Sequence, residues 1–200
     1  MTSNRRSLAL AGLLSLSALA ACSQPTPMAP PMAAAPMMAP NPMVGGAAMY
    51  ANKDIVDNAV NSADHTTLVA AVKAAGLVDT LKSPGPFTVF APTNAAFNAL
   101  PKGTVPTLLM PKNKPQLVKV LTYHVVPGVI DSKALMAGIA AGGGRMSLTT
   151  VEGEPLTAMS GGPGMISLTD AKGRTAMVTI ADVYQSNGVI HVINTVMLPK

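Results

Sequence analysis

The chain has one cysteine, no tryptophan and only three Tyr and three Phe among its 200 residues. A single cysteine excludes any disulfide within the chain. Because aromatic residues are so scarce, a row of rings on which bases or sugars could stack is not available. Runs of Lys or Arg interleaved with aromatic residues are also missing, so we expect no nucleic-acid partner.

Signatures of catalysis and of metal binding are missing as well. The sequence contains no Gly-x-Ser-x-Gly, no His-x-x-x-His and no Cys-x-x-Cys pattern. The glycine-rich stretches at 142–144 and 161–164 are not followed by Lys-Ser or Lys-Thr, so they do not predict a phosphate-binding loop. We therefore expect a protein that is not an enzyme, with no cofactor and no metal site.

The N-terminus is typical of an export signal. Arg5 and Arg6 precede an apolar stretch over residues 8–21, which at 14 residues is too short to span a bilayer. The stretch Leu-Ala-Ala-Cys at 19–22 resembles the lipobox of bacterial lipoproteins. The pattern predicts a cleaved signal peptide over residues 1–21 and a lipid on Cys22, which anchors the protein to the cell envelope. Ser23 and Gln24 follow Cys22, and the absence of Asp at these positions resembles lipoproteins that are forwarded to the outer membrane, which places the domain in the periplasm or at the cell surface.

Residues 22–49 form a predicted tether between the lipid and the domain. Pro, Ala, Met and Gly dominate this segment, and it carries no charge, which is typical of an extended, disordered chain. Thioethers bind Cu(I), so copper handling is an alternative function for the methionines of this segment. These are Met28, Met32, Met37, Met38, Met43 and Met49.

Residues 50–200 are long enough for one domain with a substantial core. Its first half shows helical spacing of apolar residues after capping residues such as Asp54 and Asp64, with one early strand at 87–91. Beyond His124, short β-prone runs recur between glycines, the last at 196–198. Helices followed by a meandering sheet predict the α+β class.

Three stretches resemble the motifs of the fasciclin domain family. They are Thr-Val-Phe-Ala-Pro-Thr-Asn-Ala-Ala-Phe at 88–97, Leu-Thr-Tyr-His-Val-Val-Pro-Gly at 121–128 and Ser-Asn-Gly-Val-Ile-His-Val-Ile-Asn at 186–194. The resemblance implies a fasciclin-like single domain, with N-terminal helices packed on a mostly antiparallel β-sheet wedge. It also implies a non-enzymatic adhesion or interaction module that binds a protein or a cell-envelope component. Its oligomeric state is not implied.

The resemblance also suggests roles for individual residues. Tyr123, His124, Asp182 and Val183 are candidates either for partner contact or for holding the motifs together. Asp182-Val183 stands where eukaryotic members linked with adhesion carry Asp-Ile, and Asn194 replaces the usual Asp of the closing motif. A structural role is expected for five more residues: Thr93, Asn94, Asn187, Gly188 and His191.

Two of these roles specify a contact or a backbone conformation. The family resemblance suggests that the His124 ring bonds to the first motif, near Thr93 or Asn94. Asn187-Gly188 is expected to supply the positive φ of a tight turn. The runner-up function, ligand or metal handling, would use His124, His191 or the methionines.

Overall fold

The computed structural model describes residues 41–200, so the predicted signal peptide, Cys22 and the tether up to residue 40 lie outside the described residues. Strands β1 (Met43–Val44) and β2 (Ala47–Ala48) form a small antiparallel hairpin. Its turn residues Gly45 and Gly46 have φ of 58° and 76°, the left-handed values that a two-residue hairpin requires. Val44 and Met49 are each only 3% exposed and belong to the core. The folded domain therefore begins before Tyr50, since these glycines make a turn that composition alone assigned to the tether.

Seven α-helices lie within the described residues. Their ends follow local chemistry: the Asp54 carboxylate accepts a hydrogen bond from the backbone N–H of Asp57 at 2.8 Å, and Gly76 ends the second helix with a φ of 74°. No helix within residues 41–200 is long and apolar enough to cross a membrane. The helices are α1 (Ile55–Ala59), α2 (Thr66–Ala75), α3 (Val78–Lys82), α4 (Asn94–Asn98), α5 (Thr104–Leu108), α6 (Lys114–Tyr123) and α7 (Ser132–Ala141).

A seven-stranded sheet forms the centre of the domain, in the order β4-β3-β9-β8-β7-β6-β5. Every neighbouring pair is antiparallel except β3 with β9, which run parallel. The predicted α+β architecture with a mostly antiparallel sheet is thus confirmed. The strands are β3 (Phe87–Pro92), β4 (Val125–Pro127), β5 (Arg145–Thr149), β6 (Pro155–Gly162), β7 (Met165–Thr169), β8 (Thr175–Gln185) and β9 (Gly188–Ile193).

Strands β3 and β9 are buried on both faces, between two apolar clusters. Val89 of β3 and Ile190 of β9 belong to the helix-side cluster, together with residues of α1, α2 and α6. Phe90 and Ile193 point the other way, into the sheet-side cluster that also contains Leu135 of α7 and residues of β5–β7. This alternation follows from the two-residue period of a strand. Each face of the central pair therefore has its own core.

Asn194, directly after β9, still donates its backbone N–H to the Met177 carbonyl of β8 at 3.2 Å, but the residues beyond it are held by side chains rather than by a strand partner. Three backbone N–H groups of this segment donate to side-chain acceptors. Those of Met197, Leu198 and Lys200 donate to His124 Nε2 (3.1 Å), Asp170 Oδ2 (3.0 Å) and Glu154 Oε2 (2.8 Å). Asn194 Oδ1 accepts from the Met177 N–H at 2.8 Å. The expected β-run at 196–198 is therefore wrong, because side-chain acceptors take the place of a ladder.

Gly188 is required for a close approach and not for a turn dihedral. Neither Asn187 nor Gly188 has a positive φ, so the expectation for this pair is wrong. Instead, a Cβ on Gly188 would lie 2.0 Å from the Phe87 carbonyl oxygen. The parallel strand β3 passes too close at this point to leave room for any side chain.

We expect Gly188→Ala to lower the free energy of unfolding by at least about 2 kcal/mol, because backbone atoms must move to admit the methyl group. Gly138→Ala is the matched control. There the new Cβ meets the flexible Met146 side chain, at 2.3 Å from its sulfur. The helical gain of about 0.5–1 kcal/mol from Ala offsets that adjustment, so its stability should stay within about 1 kcal/mol of the original. Urea unfolding of both variants checks this, and equal effects would contradict it.

Candidate functional site

Tyr123 lies at the end of α6 and is fully buried. Its hydroxyl donates to the Pro155 carbonyl and accepts from the Ala171 backbone N–H, each at 3.0 Å. Burial raises the pKa of this phenol above its usual value. The side chain thus connects α6 to β6 and to the loop between β7 and β8. Because it is fully buried, no partner molecule can reach it in this conformation.

His124 follows directly and is 3% exposed. Its Nδ1 lies 2.8 Å from the Val120 carbonyl oxygen, and its Nε2 is 3.1 Å from the Met197 backbone nitrogen. These partners fix the neutral tautomer: Nδ1–H donates and Nε2 accepts. Burial lowers its pKa to about 4, which keeps the ring neutral. The expectation that this ring bonds near Thr93 or Asn94 is wrong, because the C-terminal segment occupies the position of its partner.

Thr93 and Asn94 instead cap the N-termini of two helices. The Thr93 hydroxyl accepts from the Ala96 N–H at 3.3 Å and caps α4. The Asn94 carboxamide oxygen accepts from the Thr67 N–H at 2.9 Å, while its nitrogen donates to the Ala63 carbonyl at 2.8 Å. Asn94 therefore caps α2 from a neighbouring element, a role that the local sequence around α2 does not reveal.

Asn187 joins the β8–β9 connection to two helices. Its side-chain oxygen accepts from the Ile55 N–H at 3.1 Å, and its nitrogen donates to the carbonyls of Leu81 (2.7 Å) and Ser83 (3.2 Å). The side chain is buried, and its hydrogen bonds bring the start of α1 and the end of α3 to the central strands. The geometry gives Asn187 an internal linking position.

His191 is fully buried in β9, where its ring stacks on Phe90 with centroids 5.6 Å apart. Its Nε2 lies 2.9 Å from the Ile130 carbonyl oxygen, and its Nδ1 lies 3.4 Å from the Asp182 backbone nitrogen. Burial lowers the pKa of this imidazole. Both nitrogens of His124 and of His191 are thus engaged by the backbone, which leaves neither ring free to bind a metal.

Asp182 and Val183 differ in what they present. Asp182 interrupts the register of β8 and has a φ of 59°. Its carboxylate accepts from both the backbone N–H (2.6 Å) and the hydroxyl of Ser132, at the first turn of α7. Val183 is fully buried in the helix-side cluster. A partner cannot contact Val183, and both oxygens of Asp182 are already bonded.

An exposed surface lies beside this pair, and we name it the α7-entry surface: Val129, Asp131, Asp182 and Tyr184. Val129 is 52% exposed and Tyr184 is 46% exposed. The Tyr184 hydroxyl donates to Asp131 Oδ2 at 3.4 Å, and burial together with the charges of Asp182 and Asp131 raises its pKa. Motif reading missed Tyr184 because it lies outside the matched strings. The signal that could find it is the strand period, which turns the neighbour of buried Val183 outward.

The described part of the chain offers little else for chemistry. Within residues 41–200 no group of three His, Cys, Asp or Glu side chains is placed to hold a metal ion. Of the tether methionines, Met43 is 59% exposed, Met49 is buried, and the other four lie outside the described residues. The polar side chains of the motifs form hydrogen bonds with the backbone of their own chain.

The buried histidines predict a loss of stability in mild acid. Because the pKa of His124 is lower in the folded chain, only the unfolded chain takes up a proton as the pH falls from 6.5 towards 4. The free energy of unfolding should fall by about 3 kcal/mol for this residue across that window. In His124→Gln the slope between pH 7 and pH 5, measured by urea unfolding, should become shallower. It should not vanish, because burial also lowers the pKa of His65 and His191. An unchanged slope would contradict this role for His124.

Comparison with known proteins agrees with this architecture. The family model of the fasciclin domain matches residues 63–199. The Synechocystis protein sll1483 is 48% identical over 158 residues, which cover 78% of this chain and 79% of that protein. The cell surface glycolipoprotein MPB83 of Mycobacterium bovis is 30% identical over 161 residues, 78% of this chain and 64% of that protein.

A solved structure shows the same fold. The FAS1 domain pair from the insect cell adhesion molecule fasciclin I matches with a TM-score of 0.54 and 21% identity, over 66% of this chain and 43% of that one. At that identity the likeness concerns the fold alone. The family resemblance of the three motifs is confirmed by the family match and by the close bacterial relative. The chain belongs to the fasciclin domain family, whose members are non-catalytic, adhesion-type modules.

Proposed function

We propose that this protein is an exported, lipid-anchored interaction module that binds a protein or another component of the cell envelope. Cys22 carries the lipid, the outer membrane is the expected location, and the uncharged residues behind Cys22 act as a spacer. The similarity to a cell surface glycolipoprotein supports the anchored arrangement. The proposal excludes catalysis, in agreement with the family.

The observation that carries the proposal is the contrast between the motifs and the α7-entry surface. Tyr123, His124 and Val183 are buried, whereas Tyr184 and Val129 expose about half of their surface next to two carboxylates. Tyrosine is enriched at the centres of protein interfaces, where its ring supplies contact area at a low entropic cost. The carboxylates of Asp131 and Asp182 make this surface acidic, so a partner with basic groups beside an apolar patch fits it.

The anchor is tested by Cys22→Ala. We expect the original chain to incorporate labelled palmitate and to sediment with the envelope, because two or more acyl chains hold a protein on a membrane stably. The variant should lose the label and appear in the soluble fraction. If both proteins sediment equally and neither carries the label, lipid attachment at Cys22 is refuted, whereas the proposed interaction function is not affected.

The contact surface is tested with a double variant, Val129→Ala with Tyr184→Ala. In the Cys22→Ala background, which removes lipid-driven binding, the double change should weaken binding to purified envelopes at least about tenfold. Val60→Ala with Met110→Ala is the matched control, since these side chains are 49% and 43% exposed but lie just after α1 and α5, outside the α7-entry surface. The control should bind like the parent. Parallel loss in both double variants, or in neither, would exclude the α7-entry surface.

A further inference from the structure

The surface around α5 carries positive charge that is not balanced locally. None of the nine acidic residues of the chain lies between residues 80 and 130, a stretch that contains five lysines. Two of these, Lys82 and Lys119, form ion pairs with carboxylates of other segments. The other three, Lys102, Lys112 and Lys114, are exposed, and they form no ion pair within residues 41–200.

The backbone brings these three lysines to one edge of the domain. Lys102 lies two residues before α5, and this five-residue helix is only about 8 Å long. The chain turns back directly after α5, since the Asn113 side chain donates to the Thr107 carbonyl at 2.6 Å. Lys112 and Lys114 flank this asparagine, so the three charges lie around the two ends of one short helix.

A fourth lysine belongs to the same edge. Lys114 extends over the C-terminal end of α2, because its Nζ lies 3.4 Å from the position of a Cβ on Gly76, the residue that ends this helix. Lys73, in the last turn of α2, is exposed and likewise forms no ion pair in the described part of the chain. We name this group the α5-edge surface: Lys73, Lys102, Lys112 and Lys114.

Folding alone does not explain this concentration of charge. No residue of α5 is buried, so the elements at this edge add little to the core. Like charges on one surface repel one another and lower the stability of the folded chain. No aromatic residue occurs between residues 98 and 122, so a nucleic acid would find no ring on which a base could stack. The charges are therefore suited to a polyanionic surface that needs no specific pocket.

We propose that the α5-edge surface binds the anionic headgroups of a lipid bilayer and so orients the domain on the membrane. The choice of a bilayer rests on the lipid anchor proposed above, because a lipid on Cys22 keeps the domain within reach of the headgroups. Each lysine close to an anionic bilayer strengthens binding by about fivefold. A basic surface next to a lipid anchor supplies a second point of attachment.

The opposite charge of the α7-entry surface supports this orientation. Asp131 and Asp182 are repelled by the headgroups that attract the lysines. Tyr184 also follows Val183, which points into the helix-side cluster, so the strand period turns Tyr184 away from the helices. A domain that rests on its α5 edge therefore keeps the α7-entry surface accessible to a partner.

The test measures flotation of the protein with phospholipid vesicles. It uses the mature chain, residues 22–200 with Cys22→Ala, because the lipid and the signal peptide would themselves bind vesicles. We expect binding at about 0.05 M salt to phosphatidylcholine vesicles that contain about 30% phosphatidylglycerol, and none to vesicles of phosphatidylcholine alone. At about 0.5 M salt the binding should be lost, because the charges are screened. No binding to the anionic vesicles, or equal binding to both kinds, would overturn the proposal and leave an acidic protein as the ligand of these lysines.

Two triple variants distinguish this surface from net charge. The first should weaken vesicle binding on the order of a hundredfold, at about fivefold for each lysine. The second, the matched control, removes the same charge from exposed residues of α7, β5 and the loop between β7 and β8, and it should bind like the parent. The first is Lys102→Gln, Lys112→Gln and Lys114→Gln; the second is Lys133→Gln, Arg145→Gln and Lys172→Gln.

Equal weakening in the two triple variants, or none in the first, would refute the α5-edge surface. Because all six side chains are exposed, both variants should keep the circular dichroism spectrum of the parent. The vesicles contain no protein, so a failure here refutes the lipid contact without affecting the proposed interaction function.

Discussion

The parallel pairing of β3 with β9 is the constraint on which the rest of the domain depends. Both strands are buried on both faces, and parallel strands are stable only when each face is covered. Helices α1, α2 and α6 cover one face, and α7 with strands β5–β7 covers the other. Polar residues inside the pair then need partners. Thr88 donates to the Gly128 carbonyl at 2.7 Å and accepts from the Ile130 N–H at 2.9 Å, which fixes the segment that leads into α7.

The sequence predicts this framework where the signal is local. Apolar spacing, caps such as Asp54 and the strand at 87–91 are properties of neighbouring residues, and the structure has them nearly as expected. The errors occur where a contact with a residue that is distant in the sequence determines the local structure. The His124 ring bonds across 73 residues to Met197, and Asn187 bonds across 132 residues to Ile55. The local spacing of residues does not predict such contacts, because they form only once the two apolar clusters have packed.

The same long-range bonds explain why the motifs do not mark the surface of contact. Tyr123, His124, Asn187 and His191 are polar residues in or next to central elements, and burial without partners would be costly. Each is satisfied by backbone groups, at least one of them in another element, so it stabilises the fold and leaves nothing to offer a partner. Contact must therefore come from residues that the motifs orient but do not include, as Tyr184 is oriented by the buried Val183 and by the bulge at Asp182.

The helices on one face of the central strands and the sheet with α7 on the other differ in how much regular structure they contain. Helices α1, α3, α4 and α5 have five residues each, too few to be stable without tertiary packing, so they persist only through contacts to neighbours such as β3, β9 and Asn187. A largely apolar cavity lies among these helices. Short elements over a partly empty core open more readily than a continuous antiparallel ladder. Local opening is therefore expected first among the helices, while the sheet, with α7 packed on it, supports the α7-entry surface.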